Sequence, residues 1–345
     1  MNLRLQDINI QAVRTKLLRW NRTKNDRPMP WKGEKDPYKI WLSEIILQQT
    51  RVEQGLKYYK NYVAKYPTII NLANAADDDV FKDWEGLGYY NRCRNMLFTA
   101  RLIRDEYQGV FPDKYENILT LKGVGTYTAA AIASFAYDLP YAVVDGNVVR
   151  VLSRLLALDR QLISAADKKE YQELADSFLA KRKPGEYNQA IMDFGATVCT
   201  PKNPSCTICP LVSHCVAYKL DAVDKYPPKK QKIKLKKREL HYVLLHDKKS
   251  VYLRKRGEKD IWQSLYEPIL IEQTHKPRWL TEQKAIHKAV QKLSHQHLII
   301  HFYILNNNES VPIDLSLYQK VSLKRLKDKA YPKSVFDFLK EFEYI

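Results

Sequence analysis

Four of the five cysteines fall within seventeen residues, and this cluster constrains what the chain can fold into more than any other feature. Cys199, Cys206, Cys209 and Cys215 follow the pattern C-x6-C-x2-C-x5-C. Four thiolates so close in sequence can surround one tetrahedral metal ion or one iron–sulfur cubane. Zinc sites commonly use two tight C-x2-C pairs, and only Cys206 and Cys209 form one here. The spacing therefore favours an iron–sulfur cluster and leaves zinc open, in a reducing compartment rather than in a disulfide framework.

The chain carries a large positive charge. Its 57 Lys and Arg residues exceed its 39 Asp and Glu residues, which gives a formal net charge of +18. This excess excludes an acidic disordered chain and favours a polyanionic partner, either a nucleic acid or an anionic membrane surface. The sequence contains neither a transmembrane-length apolar run nor the pattern of a secretory signal. We expect a monomer in the bacterial cytoplasm, associated with the nucleoid and without a membrane partner.

The spacing of apolar residues changes along the chain and indicates two folding regions. Residues 1–220 carry apolar residues at three- and four-residue steps, which predicts a mainly α-helical region. Residues 221–238 are basic and contain Pro227 and Pro228, so they predict a linker that is either a solvated tether or a phosphate contact. Residues 239–345 predict a small α+β domain. Its expected elements are a hairpin of HYVLLHD and VYLRKR, a strand HLIIHFYIL and a final helix YPKSVFDFLKEF.

A glycine-containing turn predicts a helix-hairpin-helix grip on DNA. The segment LKGVGTYTA spans Leu121–Ala129 and precedes an expected helix at 129–136. Glycines allow close approach of the backbone, and the N–H groups at the start of a helix can face a phosphate. An ordinary helix–turn–helix corner is the competing interpretation. The expected contacts with the DNA backbone are Lys122, Gly123, Val124 and Gly125.

Two carboxylates occupy positions that suit acid–base chemistry. Asp145 precedes a strongly periodic helix, where it can act as an N-cap and where the helix terminus favours its ionised form. Glu44 lies on a helical segment close to Ile40 and Leu47, where burial would raise its pKa and suit it to proton donation. A Glu44 that simply faces solvent is the alternative. One protonated and one ionised carboxylate are what glycosidic bond cleavage requires, so with the basic charge and the hairpin they indicate N-glycosidic cleavage in DNA.

Several segments together resemble the MutY-type adenine DNA glycosylases, which belong to the endonuclease III-like helix-hairpin-helix superfamily. These segments are WLSEIILQQT, GLGYYNRCRN, LKGVGTYTA, VDGNVVRVLSR, NQAIMDFGATVCT and the cysteine spacing. The resemblance is dense over about residues 25–220 and thinner over 239–300. It implies that the substrate is adenine opposite 8-oxoguanine or guanine in duplex DNA, flipped out of the base stack. It also implies a [4Fe–4S] cluster held by the four cysteines.

The resemblance implies roles for individual residues. Glu44 would protonate N7 of the adenine and later help to activate water, and Asp145 would stabilise the sugar cation. Tyr127 and Asn147 would support that pocket. The positions that match the lining of the adenine pocket are Arg27, Trp31 and Gln189, the last of which is Gln or Glu in the family. The positions that match residues opening the duplex and contacting 8-oxoguanine are Gln49, Thr50, Leu87, Tyr89 and, near the C terminus, Ser294.

Departures from related enzymes narrow the expected activity. Strand-cleaving relatives place a lysine where Tyr127 stands, and a phenol cannot form a Schiff base, so we expect a monofunctional glycosylase. The C-terminal region resembles the family's Nudix-like domain, although Leu293 stands where the family has Phe before Ser-His. The acidic helix that binds magnesium in true Nudix hydrolases is replaced by the basic segment EQKAIHKAVQKL. We therefore expect no pyrophosphohydrolase activity.

Other functions stay open on the residues alone. An endonuclease III-like glycosylase for damaged pyrimidines would share the hairpin, the aspartate and the cluster. A catalytically silent DNA-scanning protein would have no need of Glu44. An iron–sulfur redox sensor would use DNA only as a platform, and the oxidation state of its cluster would control the output.

Overall fold

The chain forms two compact units, and each unit is built from three separate segments of the sequence. The computed structural model describes residues 8–161, 163–228, 235–258, 260–271, 278–306 and 314–345. Unit 1 comprises the described residues of Met1–Val52, Thr68–Ile70 and Phe98–Gln231. Unit 2 comprises those of Glu53–Pro67, Asn71–Leu97 and Lys232–Ile345. Each unit therefore contains helices from the N-terminal part of the chain.

The first 220 residues are mainly helical, as the apolar spacing predicts. The helices are α1 (Ile10–Thr23), α2 (Pro37–Leu47), α3 (Val52–Lys65), α4 (Ile69–Asn74), α5 (Asp77–Asp83), α6 (Asn91–Glu106), α7 (Tyr115–Thr120), α8 (Thr126–Ala136), α9 (Gly146–Leu156), α10 (Ala165–Phe178), α11 (Pro184–Thr197) and α12 (Val216–Lys219). Single 3-10 turns lie at Cys206–Ile208, Val212–His214 and Val223–Lys225. Helix α8 begins three residues before the expected start at Ala129, because the extended backbone of Gly125 ends immediately before Thr126.

The core of unit 1 surrounds α9. This helix contacts α10, α11 and α12, and its Val148, Leu152 and Leu155 belong to a buried cluster that also includes residues of α1 and α8. Close packing of α11 on the start of α9 depends on Gly195, because a Cβ there would lie 2.6 Å from the Cβ of Asn147. A side chain at position 195 would therefore displace the segment that carries Asp145 and Asn147.

Unit 2 contains a mixed sheet. Its strands are β1 (Lys236–His246), β2 (Ser250–Lys255), β3 (Tyr266–Glu267), β4 (Ile269–Ile271), β5 (His287–Lys292), β6 (Gln296–Asn306) and β7 (Gln319–Ser322). The order is β3-β2-β1-β6-β5, with β4 paired to β1 and β7 to β2. Strands β1 and β6 run parallel along their whole length, from Lys236 opposite Gln296 to His246 opposite Asn306.

The sheet confirms the expected elements of the C-terminal region and shifts one boundary. Strands β1 and β2 form the predicted hairpin, and the Asp247 carboxylate accepts hydrogen bonds from the Lys249 and Ser250 backbone N–H groups in its turn. The predicted strand lies within β6, and the predicted final helix is α14 (Lys333–Glu341), which follows α13 (Arg278–Thr281). Pairing with β6 extends β1 back to Lys236, so residues 236–238 of the predicted linker 221–238 are strand rather than linker. Its lysines at 229–234 lie outside the described residues.

Helix α14 covers one face of this sheet. Phe338 of α14 stacks on Phe302 of β6 with ring centroids 4.3 Å apart, and both side chains are fully buried. None of the helices in the described part of the chain has the length and apolar character needed to cross a lipid bilayer.

Candidate active site

A cavity of about 1040 Å³ in unit 1 brings together all seven residues predicted for catalysis and the adenine pocket, with two of those predicted for the lesion side. Its walls come from α2, α8, α9 and α11 and from the irregular segment that joins α1 to α2. The predicted residues that line it are Arg27, Trp31, Glu44, Gln49, Thr50, Tyr127, Asp145, Asn147 and Gln189. The cavity therefore gathers positions that are up to 162 residues apart in the sequence.

Glu44 is buried, as its apolar neighbours on α2 predict. Its pKa is raised to about 7: burial is the main cause, the hydrogen bond from the Tyr127 hydroxyl opposes the rise, and the negative charge of Asp145 adds to it. A carboxyl group with this pKa is protonated in a large fraction of molecules at neutral pH. Glu44 is therefore equipped to donate a proton inside the cavity.

Asp145 caps α9, as the sequence predicts. One carboxylate oxygen accepts from the backbone N–H groups of Asn147 at 2.9 Å and Val148 at 2.7 Å, and the other accepts from the Asn147 side-chain amide at 2.6 Å. Burial raises the pKa of Asp145, and these hydrogen bonds oppose the rise. The cap alone predicts a lowered pKa for Asp145. The burial that raises its pKa instead could not be predicted from the sequence.

Tyr127 interacts with both carboxyl groups. Burial, together with the negative charges of Glu44 and Asp145, raises its pKa well above the ordinary value for a phenol. The hydroxyl therefore stays protonated and donates a hydrogen bond to the carboxyl group of Glu44. A hydrogen bond of 3.3 Å from the Gln48 amide to the Thr128 hydroxyl joins α2 to α8 beside this pair.

Arg150 fixes the orientation of Asn147. Its guanidinium donates to the Asn147 side-chain oxygen at 2.8 Å and to the Gly195 carbonyl at 2.6 Å. The same group donates through Nε to the Cys199 carbonyl at 2.7 Å. The amide that holds Asp145 is thus held in turn by a residue that also contacts the first cysteine of the cluster.

Sequence reasoning missed Asp193, which lies in α11 and is fully buried. Its carboxylate accepts from Arg27 Nη1 at 2.8 Å and from the Asn25 amide at 2.9 Å, and it lies 3.3 Å from Lys32 Nζ. These partners belong to the segment between α1 and α2, which lacks regular secondary structure. Asp193 therefore fixes Arg27 at the wall of the cavity. The available signal was an aspartate among the buried apolar positions of NQAIMDFGA.

The residues predicted for the lesion side are divided between the units. Gln49 and Thr50 line the cavity of unit 1. Leu87 and Tyr89 lie in a tight loop of unit 2, where Leu87 is only 5% exposed and Tyr89 is 48% exposed. Ser294 is exposed in the turn between β5 and β6, with its hydroxyl 3.2 Å from His295 Nδ1.

The loop that carries Tyr89 is held rigidly. The Trp84 indole and the Arg92 guanidinium donate to the Gly88 carbonyl at 3.0 and 3.2 Å. The Arg92 guanidinium also lies 5.6 Å from the centre of the Tyr89 ring. Gly86 has a φ of +89°, which favours glycine there. Arg92 is a second residue that the sequence analysis did not identify.

The predicted hairpin has the expected form. Helix α7 is followed by a turn in which Gly123 has a φ of +83° and the Val124 N–H donates to the Leu121 carbonyl at 3.0 Å. The Thr99 hydroxyl donates to the Lys122 carbonyl at 3.0 Å, and the Lys122 ammonium lies 4.4 Å from the centre of the Phe98 ring. These contacts fix the backbone of the turn before any ligand binds.

The four cysteines are neighbours in space. Arg154 links two of them, because its Nη1 donates to Cys199 Sγ at 3.4 Å and its carbonyl accepts from Cys215 Sγ at 3.3 Å. Burial raises the pKa of Cys206, Cys209 and Cys215, and the negative charge of neighbouring cysteines contributes to each rise. No three His, Cys, Asp or Glu side chains in the described ranges surround a single point as ligands of one ion. A cubane takes one thiolate at each of its four irons, and these four cysteines, the donor set within residues 199–215, match that number.

Comparison with known proteins relates most of the chain to DNA repair enzymes. Residues 42–180 match the family described as HhH-GPD superfamily base excision DNA repair protein. An adenine DNA glycosylase of Buchnera aphidicola subsp. Schizaphis graminum (strain Sg) is 33% identical, over 95% of this chain and 97% of its own length. The adenine DNA glycosylase of Homo sapiens is 40% identical, over 60% of this chain and 40% of its own length.

Solved structures show the same fold. A thermostable thymine-DNA glycosylase matches with a TM-score of 0.57 at 30% identity, over 61% of this chain and 97% of that protein. An endonuclease III solved in a non-covalent complex with DNA matches with a TM-score of 0.53 at 24% identity, over 62% of this chain and 98% of that protein. The helical part of the chain therefore has the endonuclease III-like helix-hairpin-helix fold.

Proposed function

The chain belongs to the adenine DNA glycosylases, which release adenine by hydrolysing an N-glycosidic bond in base excision repair, and we propose that it acts on adenine mispaired with 8-oxoguanine or guanine in duplex DNA. The observation that carries this proposal is the cavity in which Glu44, Tyr127 and Asp145 meet. Its two carboxyl groups differ in their hydrogen-bond partners. Glu44 accepts from a phenol, whereas Asp145 accepts from two backbone N–H groups and an amide.

Glu44 supplies the proton for the leaving base. With a pKa of about 7 it transfers a proton to N7 of the flipped adenine, so the base departs as a neutral molecule. The carboxylate left on Glu44 then accepts a proton from the water that attacks C1′ of the sugar. The Tyr127 hydroxyl donates a hydrogen bond to Glu44 throughout the reaction and holds the carboxyl group in place.

Asp145 stabilises the positive charge that develops on the sugar. Its three hydrogen-bond donors stabilise the ionised form, which is the form that an oxocarbenium-like state needs. Asn147 contributes one of these bonds, and Arg150 fixes the amide of Asn147. The site thus pairs a proton donor with a fixed anion.

The other predicted residues contact the adenine, the base opposite it or the DNA backbone. Arg27, Trp31 and Gln189 line the adenine pocket, with Arg27 held by Asp193. The residues proposed to open the duplex and contact the opposite base are Gln49, Thr50, Leu87, Tyr89 and Ser294. The turn of Lys122, Gly123, Val124 and Gly125 contacts a phosphate group through its backbone N–H groups.

We propose that the enzyme is monofunctional. Strand cleavage through a Schiff base needs a neutral amine, and Tyr127 stands where strand-cleaving relatives carry lysine. Each lysine that lines the cavity is beside an acid: Lys32 lies 3.3 Å from Asp193, Lys35 lies 2.9 Å from Asp138, and Lys183 lies 3.8 Å from Glu186. Each of these lysines is therefore held in an ion pair.

Two assignments accompany this function. The four cysteines would hold a [4Fe–4S] cluster, which when bound supplies iron–thiolate bonds that cross-link the segment 199–215. The residues of this chain that serve it are Arg154 and Arg150, which bind Cys199 through its sulfur and its carbonyl. The C-terminal sheet would be a Nudix-like domain that inspects the opposite base, without the acidic helix that pyrophosphohydrolysis requires.

Base release from end-labelled duplexes tests this function. The duplexes carry adenine opposite 8-oxoguanine, guanine or thymine, or thymine glycol opposite adenine, and each is read with and without alkali. We expect breaks at the adenine only after alkali, and fastest release opposite 8-oxoguanine. Strand breaks without alkali at thymine glycol would instead indicate an endonuclease III-like enzyme.

A further inference from the structure

An aspartate of the helical region is surrounded by side chains of the C-terminal sheet. Asp78 lies in the first turn of α5. One of its carboxylate oxygens accepts from Lys255 Nζ at 2.8 Å, and the other accepts from Lys329 Nζ at 2.7 Å and the Tyr266 hydroxyl at 3.0 Å. Both charged partners of Asp78 are lysines, so the contact depends on a negative charge at position 78.

A second acid binds the same region of the sheet domain. Glu85, just beyond α5, accepts from the Tyr331 backbone N–H at 3.0 Å and from Lys82 Nζ at 2.7 Å. Lys82 Nζ also donates to the Lys329 carbonyl at 3.1 Å. We use the term clasp for Asp78, Lys82, Glu85 and their partners Lys255, Tyr266, Lys329 and Tyr331. The clasp lies within unit 2.

The clasp connects two elements that are far apart in the sequence. On the helical side, Glu85 immediately precedes the loop of Leu87 and Tyr89. On the sheet side, Lys255 ends β2, which pairs with β1, and β1 pairs with β6. The turn that carries Ser294 leads into β6. The ion pairs of Asp78 and the hydrogen bond from Tyr331 to Glu85 therefore fix the Tyr89 loop to the sheet that carries Ser294.

We propose that Asp78 and Glu85 are positioning residues that set discrimination between 8-oxoguanine and guanine opposite the adenine. They touch neither base. They hold the Tyr89 loop and the Ser294 turn at a fixed separation, so that both can contact one opposite base at the same time. This inference rests on the proposed function, in which these two elements contact that base.

The charge of Asp78 is constant over the working range of the enzyme. Burial acts to raise its pKa, but the hydrogen bonds from Lys255 and Lys329 more than offset this and bring it to about 2. Lys329 is only 14% exposed, so the pair is screened less than an ordinary surface ion pair. Discrimination that depends on the clasp should therefore be insensitive to pH between about 5 and 9.

Charge exchange within the clasp tests the proposal. Single-turnover adenine release is measured opposite 8-oxoguanine and opposite guanine for wild type, Asp78→Lys, Lys329→Asp and the double variant. Asp78→Lys brings three ammonium groups together. We expect it to reduce the ratio of the two rates about tenfold, mainly by slowing release opposite 8-oxoguanine. The double variant again has two lysines and one aspartate at these positions and should recover most of the ratio.

Asp79→Lys is the matched control. Asp79 is exposed in the same first turn of α5, so its replacement makes the same charge change and the same unfavourable interaction with the helix dipole. Its ratio should equal that of wild type. Thermal melting followed by circular dichroism checks that each variant folds. If Asp78→Lys does not fold, Asp78→Asn is measured in its place.

The outcomes are distinct. An unchanged ratio in a folded Asp78 variant, an equal loss on both duplexes, or an equal effect of Asp79→Lys would overturn the proposal. Failure of wild type to release adenine from either duplex would instead refute the proposed function.

Discussion

Glu44 in unit 1 and Asp78 in unit 2 are acidic side chains whose pKa values are shifted in opposite directions. In unit 1, burial and the negative charge of Asp145 raise the pKa of Glu44 to about 7, against the opposing hydrogen bond from Tyr127. In unit 2, two lysines and a tyrosine lower the pKa of Asp78 to about 2. Burial therefore makes Glu44 a proton donor, whereas two lysines keep Asp78 ionised and make it a permanent ionic link. The predictions below test this difference.

Replacing Glu44 should have the largest effect. Glu44→Gln keeps the shape of the side chain but cannot transfer a proton, so adenine release should fall by about a thousandfold or more. DNA binding should persist, because the hairpin and the basic charge are unchanged. Single-turnover release and a binding titration on the same duplex measure the two properties. A variant that loses binding and release together would show that Glu44 is structural.

Replacing Asp145 should have the next largest effect. Asp145→Asn retains an oxygen that can accept the α9 cap bonds but removes the negative charge, so release should fall by about a hundredfold. The melting temperature should change little. Glu116→Gln, at a carboxylate outside the cavity, is the control for loss of one charge. Near-wild-type release by Asp145→Asn would exclude the electrostatic role.

Replacing Asp193 should combine a stability loss with a smaller loss of activity. Asp193→Asn leaves Arg27 and Lys32 beside a neutral amide in a buried position, which should cost about 3 kcal/mol in the free energy of unfolding. Adenine release should fall about tenfold, mainly through weaker capture of the base. Denaturant unfolding and the dependence of the rate on enzyme concentration separate the two effects. No change in either would contradict the assignment of Asp193.

Replacing Tyr127 should move the pH dependence of the rate. Release needs protonated Glu44, so the wild-type rate should be high below pH 7 and fall as the pH rises through that value. The hydrogen bond from Tyr127 lowers the pKa of Glu44, so Tyr127→Phe should shift this basic limb to higher pH. Single-turnover rates between pH 5 and 9 measure the shift. A limb that moves to lower pH would contradict the hydrogen-bond direction.

Local patterns in the sequence predicted the features that depend on neighbours in the chain. The apolar flanks of Glu44 predicted its burial, and the position of Asp145 before a periodic helix predicted its cap. The β1–β2 hairpin was predictable for the same reason, because the turn DKKS lies between two short segments that favour strands. These features follow from interactions within a few residues.

Interactions between distant segments were not predictable. Asp193 binds Arg27 across 166 residues, and no local pattern indicates that partner. The parallel pairing of β1 with β6 joins strands about 60 residues apart and extends β1 into the predicted linker. Asp78 meets Lys329 across 251 residues. The sequence therefore predicted the burial of Glu44 but neither the burial of Asp193 nor which acids meet a cation.

A direct titration of the two carboxyl groups tests the central contrast. Infrared difference spectra between wild type and Glu44→Gln, and between wild type and Asp78→Asn, report the protonated carboxyl band of each residue as the pH changes. The account predicts that the band of Glu44 persists up to about pH 7 and that no band of Asp78 appears above about pH 4. A Glu44 that is fully ionised at pH 5.5 would contradict its role as the proton donor.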